Sequence, residues 1–398
     1  MSKLSISHVN YCGQRTLMRV DFNVPLDADG KITDDKRIVA AMPSIQKLID
    51  EGAQLILCSH LGRPKGKVVP EMSLRPCADR LAELLGQPVK FAPDCIGPEV
   101  EKMAEAMNDG DILLLENLRF HKEETDNDPE FSKQLARLAD VYVNDAFGSA
   151  HRAHASTEGV TKYFDSCAAG FLMEKEIKYL GQALENPIRP FSAILGGAKV
   201  SGKIDVIEHL FPRVNSILIG GGMMFTFIKA MGKSIGKSLI EEDRVFLACE
   251  MLETAEANGV DLVIPVDCVV ADEMTENAKT SIVDIDSIPD NKMGLDIGPK
   301  TIELFKSHLK DAKTVIWNGP MGVFEIKQFS HGTYEIAQIL ADITALGATT
   351  IVGGGDSASA VKKSGLEKKL SHISTGGGAS LEYLEGKILP GLAALTDV

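Results

Sequence analysis

Short apolar runs alternate along the chain with longer segments whose apolar residues recur every three or four positions. The runs are candidate strands, and they lie at residues 16–20, 54–58, 112–115, 141–143, 192–195, 216–219, 262–266, 314–317 and 349–352. Short runs of this kind, bounded by Gly, Asp or Asn, are typical of parallel strands that are buried on both faces. The helical segments between them predict repeated βαβ units.

Polar residues and glycines follow nearly every predicted strand. They are Asp21, Asn23, His60, Arg63, Glu116, Asn144, Gly196, Gly220, Asp267, Asn318 and Gly353. Because ligands of parallel sheets bind beyond the carboxyl ends of the strands, this regularity predicts binding sites there. The first half of the chain offers Arg, His and Asn side chains, whereas the second half offers glycine clusters. We therefore expect one half to hold a small anion through cations and the other to hold phosphates through backbone N–H groups.

A chain of 398 residues is too long for one ordinary core, so two domains are expected. The predicted boundary lies at residues 165–190. Residues 171–185 are predicted as one helix, which ends before the prolines of segment 186–190. We predict an α/β fold of two Rossmann-like lobes, each a mostly parallel sheet flanked by helices, joined by this interdomain helix and a hinge.

Composition narrows the class of protein. The formal net charge of −14 disfavours nonspecific binding to nucleic acid. The seven cysteines are odd in number and form no CxxC pair, which indicates buried free thiols rather than disulfides or a zinc knuckle. The N-terminus has no apolar signal core, and no apolar stretch approaches the roughly 20 residues that span a bilayer. We expect a reducing cytoplasm and no membrane partner.

Two common nucleotide motifs are missing. Segment 232–238 approaches a GxxxxGK[ST] loop but is one residue short, and it follows a helix-like segment rather than a strand. We interpret it as a polar loop. No GxGxxG precedes a helix, so a P-loop kinase and a Rossmann dehydrogenase are both disfavoured.

A triple-glycine run follows the predicted strand 349–352. Its glycines allow backbone N–H groups to approach an anion, and the following helix adds its positive N-terminal end. Asp356 is then placed to hold Mg²⁺ beside the phosphates. The alternative is a tight turn with Asp356 as an N-cap. A second triple-glycine run within 375–380 favours the anion cradle.

Lys199 and Lys203 follow the glycines of segment 196–197. If a helix begins here, the two side chains share one face and can neutralise a polyphosphate and the transferred group. A solvated basic face is the alternative.

Arg37 lies in the first turn of a helix that residues 33–35 are predicted to open. A cation there is electrostatically disfavoured, so we expect this arginine to face an anion. Arg63, Arg119 and Arg152 follow strand ends, where a guanidinium can bind a carboxylate or phosphate through two hydrogen bonds. Each of the three could instead form an ordinary surface ion pair, and His60 could be a structural histidine.

Taken together, these residues resemble phosphoglycerate kinases from residue 16 to about residue 390. The motifs that carry the resemblance are RVDFNVP at 19–25, SHLGRP at 59–64, LENLR at 115–119, NDAFG at 144–148, HRAH at 151–154, LGGAKV at 195–200, GLDIGP at 294–299, WNGPMGVFE at 317–325 and the two triple-glycine runs. One local variation is Gly202, where relatives often carry a larger residue.

The resemblance implies a reversible, Mg²⁺-dependent phosphoryl transfer between ATP and 3-phosphoglycerate, which gives ADP and 1,3-bisphosphoglycerate in glycolysis and gluconeogenesis. It implies direct in-line transfer after domain closure, by a cytoplasmic monomer whose partners are small molecules. Residues 1–170 would form the domain that binds phosphoglycerate, and residues 186–380 the domain that binds nucleotide. Residues 171–185 would be the connecting helix. Residues 381–398 would pack back on the first domain.

The resemblance also implies site residues. The substrate-binding set is Asp21, Asn23, Arg37, His60, Arg63, Arg119 and Arg152. The nucleotide-binding set is Lys199, Lys203, Gly294, Asn318, Pro320, Glu325, Gly354, Gly355, Asp356 and Ser357. Arg37 and Lys203 would be catalytic and reach the transferred group from opposite lobes. Glu325 would contact the ribose, and Asp356 the metal.

Two other functions remain open from the residues alone. One is an ATP-dependent kinase that forms an acyl phosphate on a different small carboxylate, which a substrate panel would reveal. The other is a nucleotide-binding protein used for interaction rather than catalysis. That function predicts the loss of residues such as Arg37 or Lys203, and both are present.

Overall fold

The apolar runs form parallel strands because helices cover both of their faces. The computed structural model describes residues 2–398, and in it every residue of strands Phe191–Leu195 and Thr314–Asn318 is buried. The chain divides into two units. One extends to Lys178 and also contains Ile388–Val398, and the other is Tyr179–Lys387.

The first unit is built on a six-stranded parallel sheet of order β3-β4-β2-β1-β5-β6. Its strands are β1 Arg15–Arg19, β2 Gln54–Cys58, β3 Lys90–Phe91, β4 Ile112–Leu114, β5 Val141–Asn144 and β6 Cys167–Ala169. Its helices are α1 Lys36–Asp50, α2 Arg75–Leu85, α3 Pro98–Glu105, α4 Lys122–Thr125, α5 Pro129–Ala136 and α6 Phe171–Glu176. The core lies between sheet and helices, where Ile38 and Ile45 of α1 are fully buried.

The second unit has its own six-stranded parallel sheet, of order β15-β14-β13-β7-β8-β9, and a three-stranded antiparallel sheet of order β11-β10-β12. The strands are β7 Phe191–Leu195, β8 Ser216–Ile219, β9 Asp261–Val263, β10 Asp267–Ala271, β11 Ser281–Asp284, β12 Met293–Ile297, β13 Thr314–Asn318, β14 Thr349–Gly353 and β15 His372–Ile373. The helices are α7 Gln182–Glu185, α8 Ile204–Leu210, α9 Met224–Ala230, α10 Val245–Ala257, α11 Pro299–Leu309, α12 His331–Ala345, α13 Gly355–Lys363 and α14 Gly378–Leu384. The predicted α/β class with two mostly parallel sheets is confirmed.

The nine predicted strands are all present, with small shifts at their ends. The largest shift is at residues 262–266, where β9 stops at Val263 and Pro265 lies in the connection to β10. Asp267 was expected to follow a strand, but it begins β10. Its buried carboxylate accepts hydrogen bonds from the backbone N–H groups of Lys300 and Thr301 at 3.0 and 2.8 Å. Asp267 therefore caps α11 rather than facing a ligand.

The predicted helix 171–185 is not uniform. Between α6 and α7 the residues Ile177–Gly181 form a π-helical segment, and the boundary between the units lies within it. Apolar residues three and four positions apart occur in both helix types at this length, so the pattern did not reveal the wider turn.

The C-terminal residues divide between the two units at a different position from the predicted one. Only Ile388–Val398, with helix α15 Pro390–Ala393, belongs to the first unit, where the Lys3 ammonium donates to the Leu395 carbonyl at 2.8 Å. Residues 381–387 were also expected there. They lie in the second unit instead, because α14 packs on α8.

Within residues 2–398, no helix is both long enough and apolar enough to cross a bilayer. All seven cysteines are free thiols, and five of them are buried, as expected: Cys58, Cys77, Cys95, Cys167 and Cys268.

Candidate functional site

The first unit gathers its candidate residues where chain order reverses within the sheet. Strand β1 lies between β2 and β5, and the connections that leave β1 and β5 lead in opposite directions along the sheet, the arrangement at which α/β sheets bind ligands. Asp21 and Asn23 follow β1, and His60 and Arg63 follow β2. The sequence placed these residues in separate motifs, and the topology brings them to one edge.

Arg37 lies in the first turn of α1, as predicted, and its guanidinium donates to the carboxylate of Asp21. Asp21 also accepts a hydrogen bond from the Asn23 N–H at 3.2 Å, and the Asn23 side-chain oxygen accepts from the Gly62 N–H at 2.9 Å. The anion that Arg37 faces here is therefore a carboxylate of the protein. The Arg37 side chain is 40% exposed, so it also has a surface open to a ligand.

Arg119 lies beside the same loop. Its Nη1 donates to the Gly62 carbonyl at 2.9 Å, while its buried Nε has no hydrogen-bond partner within residues 2–398. Burial lowers the pKa of the Arg119 guanidinium, and the positive charges of Arg19 and Arg63 lower it further. The cluster thus holds several like charges close together, an arrangement that a bound anion would stabilise.

Arg19, which was not among the predicted site residues, lies beneath this cluster. It is fully buried on β1, and its Nε donates to the Ser156 hydroxyl at 2.9 Å. That hydroxyl donates in turn to the buried carboxylate of Glu124 at 2.6 Å. A charged residue within an otherwise apolar predicted strand was the available signal, because a buried guanidinium requires a set of partners.

The imidazole of His60 is held by Arg19, whose Nη2 lies 3.0 Å from Nδ1. Because a guanidinium can only donate, Nδ1 accepts and the proton resides on Nε2, which can donate to a ligand. Burial, then the charge of Arg19, lowers the pKa of His60 well below its usual value. Burial and Arg119 similarly lower the pKa of His154 to about 4. Both imidazoles are therefore neutral near pH 7, and the positive charge comes from the arginines.

Arg63 and Arg152 are both exposed at this edge. Their charges act on Arg119 and His154 respectively, which places them near the buried part of the cluster. The seven predicted residues are thus brought into one electrostatic neighbourhood of the first unit.

The second unit contains a cavity of about 490 Å³ bounded by the loops that follow its strands. Three of these loops are stacked backbone to backbone. The Gly197 N–H of the loop after β7 donates to the Pro320 carbonyl of the loop after β13 at 2.9 Å, and the Gly221 N–H of the loop after β8 donates to the Met321 carbonyl at 3.0 Å. Gly221 has a φ of +65°, and a Cβ there would lie 2.5 Å from the Gly197 nitrogen. Only glycine permits both the conformation and the approach.

Lys203 is the residue immediately before α8. Its ammonium donates to the side-chain oxygen of Asn318 at the end of β13. Burial lowers the pKa of Lys203 to about 8, and the carboxylates of Glu385 and Asp356 oppose that shift. Because α8 begins only at Ile204, Lys199 and Lys203 are not on one helical face, which corrects that prediction.

Four of the predicted nucleotide residues line the cavity: Gly294, Pro320, Glu325 and Asp356. Phe225 packs against Gly294 so closely that a side chain at that position would overlap the ring. Several apolar side chains of the wall could not be predicted from the sequence, because nothing in their spacing marks them. They are Phe225, Leu239, Met274 and Met293.

The remaining candidates lie behind or beside the wall. The Ser357 hydroxyl accepts a hydrogen bond from the Gly319 N–H at 2.7 Å and so supports the loop after β13. Lys199 is exposed and is not part of the cavity wall, although its neighbours Gly197 and Ala198 are. The second triple-glycine run precedes α14 and does not line the cavity.

The start of α13 contradicts the alternative in which Asp356 is the N-cap after the first triple-glycine run. The N-cap is Gly354, with a φ of +89°, and Gly355 is the first helical residue. Asp356 is therefore inside the first turn and is not the N-cap. Its exposed carboxylate lies in the cavity wall, where a hard oxygen donor suits Mg²⁺.

Comparisons with known proteins agree with this geometry. The phosphoglycerate kinase family model matches residues 6–387. Phosphoglycerate kinase of Chloroherpeton thalassium is 61% identical, and that of Chlorobaculum tepidum 59%, each over 100% of both chains. The solved structure of phosphoglycerate kinase from Coxiella burnetii is similar with a TM-score of 0.91 at 44% identity, covering 98% of each chain. The enzyme from Pyrococcus horikoshii OT3 gives a TM-score of 0.83 at 33% identity, with the same coverage.

Proposed function

The chain belongs to the phosphoglycerate kinase family and is an ATP-dependent phosphotransferase that acts on 3-phosphoglycerate; from this premise we propose which residues perform each part of the reaction. We assign 3-phosphoglycerate to the arginine cluster of the first unit and ATP to the cavity of the second. The observation that carries the assignment is the contrast in charge between these two places.

The arginine cluster suits a small molecule with a carboxylate and a phosphate. Such a ligand brings several negative charges, and Arg119 carries a buried Nε without a partner as well as the repulsion of its neighbours. Binding relieves both, because the anion supplies acceptors and opposite charge. Asp21 and Asn23 then position the cluster, and the Nε2 proton of His60 provides a neutral donor.

The cavity of the second unit suits a nucleotide. Its apolar wall around Phe225 and Met293 offers a surface for a base, and Glu325 at its edge offers a carboxylate to ribose hydroxyls. The phosphates would lie against the glycine loops and the N-terminus of α13, near Lys203.

Asp356 is the residue that would hold Mg²⁺, because its exposed carboxylate lines the same cavity. When bound, the ion would supply positive charge that neutralises the phosphate oxygens of the nucleotide. Lys203 can then act on the transferred group as a mobile cation, and Asn318 orients its ammonium.

The transfer itself needs positioning and charge neutralisation rather than a protein nucleophile. A carboxylate oxygen of 3-phosphoglycerate forms a bond to the γ-phosphorus, and the bond from that phosphorus to the bridging oxygen of ADP breaks. Arg37 would stabilise charge on the moving group from the acceptor side and Lys203 from the donor side.

Direct transfer predicts initial-rate plots that intersect for the two substrates. Parallel lines, with isolation of a phosphorylated enzyme, would contradict it. Domain closure stays a prediction.

The decisive experiment is ATP- and Mg²⁺-dependent turnover of 3-phosphoglycerate by the purified chain, coupled to NADH oxidation, with Arg37→Ala in parallel. We expect rapid turnover that the substitution nearly abolishes. A panel of other small carboxylates tests the competing acyl-phosphate kinase, which faster turnover of another acid would favour. Nucleotide binding by folded protein without any turnover would overturn the catalytic assignment.

We also propose that the enzyme works in the cytoplasm as a monomer. Its free thiols suit a reducing compartment, and the resemblance to its family supports a cytoplasmic monomer. Light scattering coupled to gel filtration tests the monomer, and a mass of about twice 42.9 kDa would contradict it. Cell fractionation tests the compartment.

A further inference from the structure

Three side chains of different chemical type meet at an outer part of the first unit. Asp94, Cys95 and His121 each offer one ligand atom, and these atoms all lie within 4.8 Å of one another. The meeting follows from topology. Strands β3 and β4 are parallel neighbours, and the segments that leave them emerge at the same edge of the sheet. None of the three belongs to the residues assigned to substrate or nucleotide.

The cluster is already polar and preorganised. The Asp94 carboxylate lies 2.6 Å from Nε2 of His121 and also accepts from the Cys95 backbone N–H at 2.7 Å. The thiol of Cys95 is fully buried, whereas the side chains of Asp94 and His121 are 48% and 26% exposed. The sulfur therefore forms the floor of a site whose other two ligands face solvent, which leaves a path of entry for an ion.

We propose that Asp94, Cys95 and His121 form a binding site for a Zn²⁺-class divalent cation, with water as the fourth ligand. One thiolate, one imidazole and one carboxylate are a donor set that selects borderline-soft metals rather than Mg²⁺. The ion takes the place of the thiol proton and of the proton shared by His121 and Asp94. Those two side chains need to separate only from 2.6 Å to about 3.4 Å, the spacing of ligands around tetrahedral zinc.

The surroundings favour a cation. Glu123 lies close enough to His121 for its charge to act on the imidazole, and Glu124 acts in the same way on Cys95. The imidazole ring of His121 packs on Phe131 with the ring centroids 5.4 Å apart, which limits its rotation. A ligand that is already oriented loses little entropy when it binds a metal.

Co²⁺ is the probe that tests this site, because a thiolate ligand gives a charge-transfer band in the near ultraviolet and tetrahedral geometry gives intense visible bands. The full chain, freed of metal with a chelator, is titrated with Co²⁺ and then with Zn²⁺. We expect saturation at one equivalent, displacement by Zn²⁺ and no displacement by excess Mg²⁺. Cys95→Ser should abolish the charge-transfer band, and His121→Gln should weaken Co²⁺ binding by more than about tenfold.

Matched controls separate this site from other thiols. Cys12→Ser and Cys249→Ser remove the two cysteines that are not buried, and both should leave the band unchanged. Because Cys95 is buried and its variant could lose structure, His121→Gln is the variant that keeps the test decisive, with circular dichroism as a check of folding. The proposal is overturned if saturating Co²⁺ gives no thiolate band, if the band disappears with Cys12, or if His121→Gln binds as tightly as the parent.

Discussion

In the proposed assignment, the two units bind anionic ligands by different physical means. In the first, guanidinium groups supply the charge, and the cost is repulsion among cations such as Arg19, Arg63 and Arg119. In the second, backbone N–H groups and a helix N-terminus would hold the phosphates, and the requirement is close approach of the backbone, as at Gly221. A site built from side chains should therefore be sensitive to the loss of single charges. A site built from backbone should be sensitive to the gain of single carbons.

The largest expected effect is on the charge-based site. Arg37→Ala should lower kcat by about 10³-fold, because the lost cation acts on the transferred group. Its stability cost should be about 1 kcal/mol or less, since the Arg37 side chain is 40% exposed and its pairing with Asp21 is partly screened. Steady-state kinetics and urea unfolding measure the two quantities.

Arg15→Ala is the matched control for Arg37→Ala. Arg15 begins β1 and forms an exposed ion pair with Asp140 at 3.0 Å, whereas Asp21, the partner of Arg37, follows the other end of β1. Arg15→Ala therefore loses a similar ion pair away from the candidate site. It should keep kcat within about twofold. Equal kcat values for the two variants would remove Arg37 from the mechanism.

The next effect tests the backbone-based site. Gly221→Ala should lower stability by about 2–4 kcal/mol and raise KM for ATP by at least about tenfold, because the added Cβ pushes the stacked loops apart. Gly202→Ala is the control. That glycine lies in the connection after β7, where an added Cβ would meet no atom within 4 Å. Thermal unfolding and ATP titration of both variants measure the two effects. Equal changes in stability and in KM for ATP would contradict the comparison.

Lys203 is a partly buried cation beside the backbone loops of the second unit. Its substitution should lower activity while raising stability. Its pKa of about 8 lies below the roughly 10.4 of an unfolded lysine, so the folded state binds the proton less well. Lys203→Met should therefore raise the free energy of unfolding at pH 7 by roughly 1–3 kcal/mol while nearly abolishing turnover.

The pH dependence gives the sign of that effect. Between about pH 8 and pH 10 the unfolded state binds more protons than the folded state, so the parent gains stability as pH rises. The advantage of Lys203→Met should accordingly shrink across this range in urea unfolding at several pH values. An advantage that stays constant from pH 7 to pH 10 would show that the charge of Lys203 is not its cause.

The smallest expected effect is at Lys199. Its ammonium is exposed and outside the cavity wall, so Lys199→Ala should change KM for ATP by less than about threefold, through long-range charge alone. The effect should vanish as salt is raised. A change above tenfold that persists in salt would show direct contact with the nucleotide.

The strands were predictable because buried parallel strands need continuous apolar runs, and β2 and β8 begin and end at the predicted residues. Strands β3 and β15 have two residues each, too few to carry such a pattern. The antiparallel sheet was missed as well. Its strand β11 is largely exposed and therefore lacks the apolar run that marked the others.

The positions of candidate residues were predictable where motifs follow strands, as at Asp21 and His60. What the sequence could not reveal are partners that only topology brings together. Arg19 meets Ser156, and Phe225 closes over Gly294, although each pair is far apart in the chain. The sequence also did not locate the start of α8, which begins after both Lys199 and Lys203. The two lysines therefore do not share a helical face.

The segment Ile388–Val398 has a consequence for how the protein is made. It completes the first unit, where the Thr396 N–H donates to the Cys167 carbonyl at 3.0 Å on edge strand β6, yet it is translated after the whole of Tyr179–Lys387. During synthesis, the first unit therefore cannot be completed until all of the second unit has been made. The purified chain truncated after Lys387 should present a protease-resistant second unit beside a first unit that is open to cleavage.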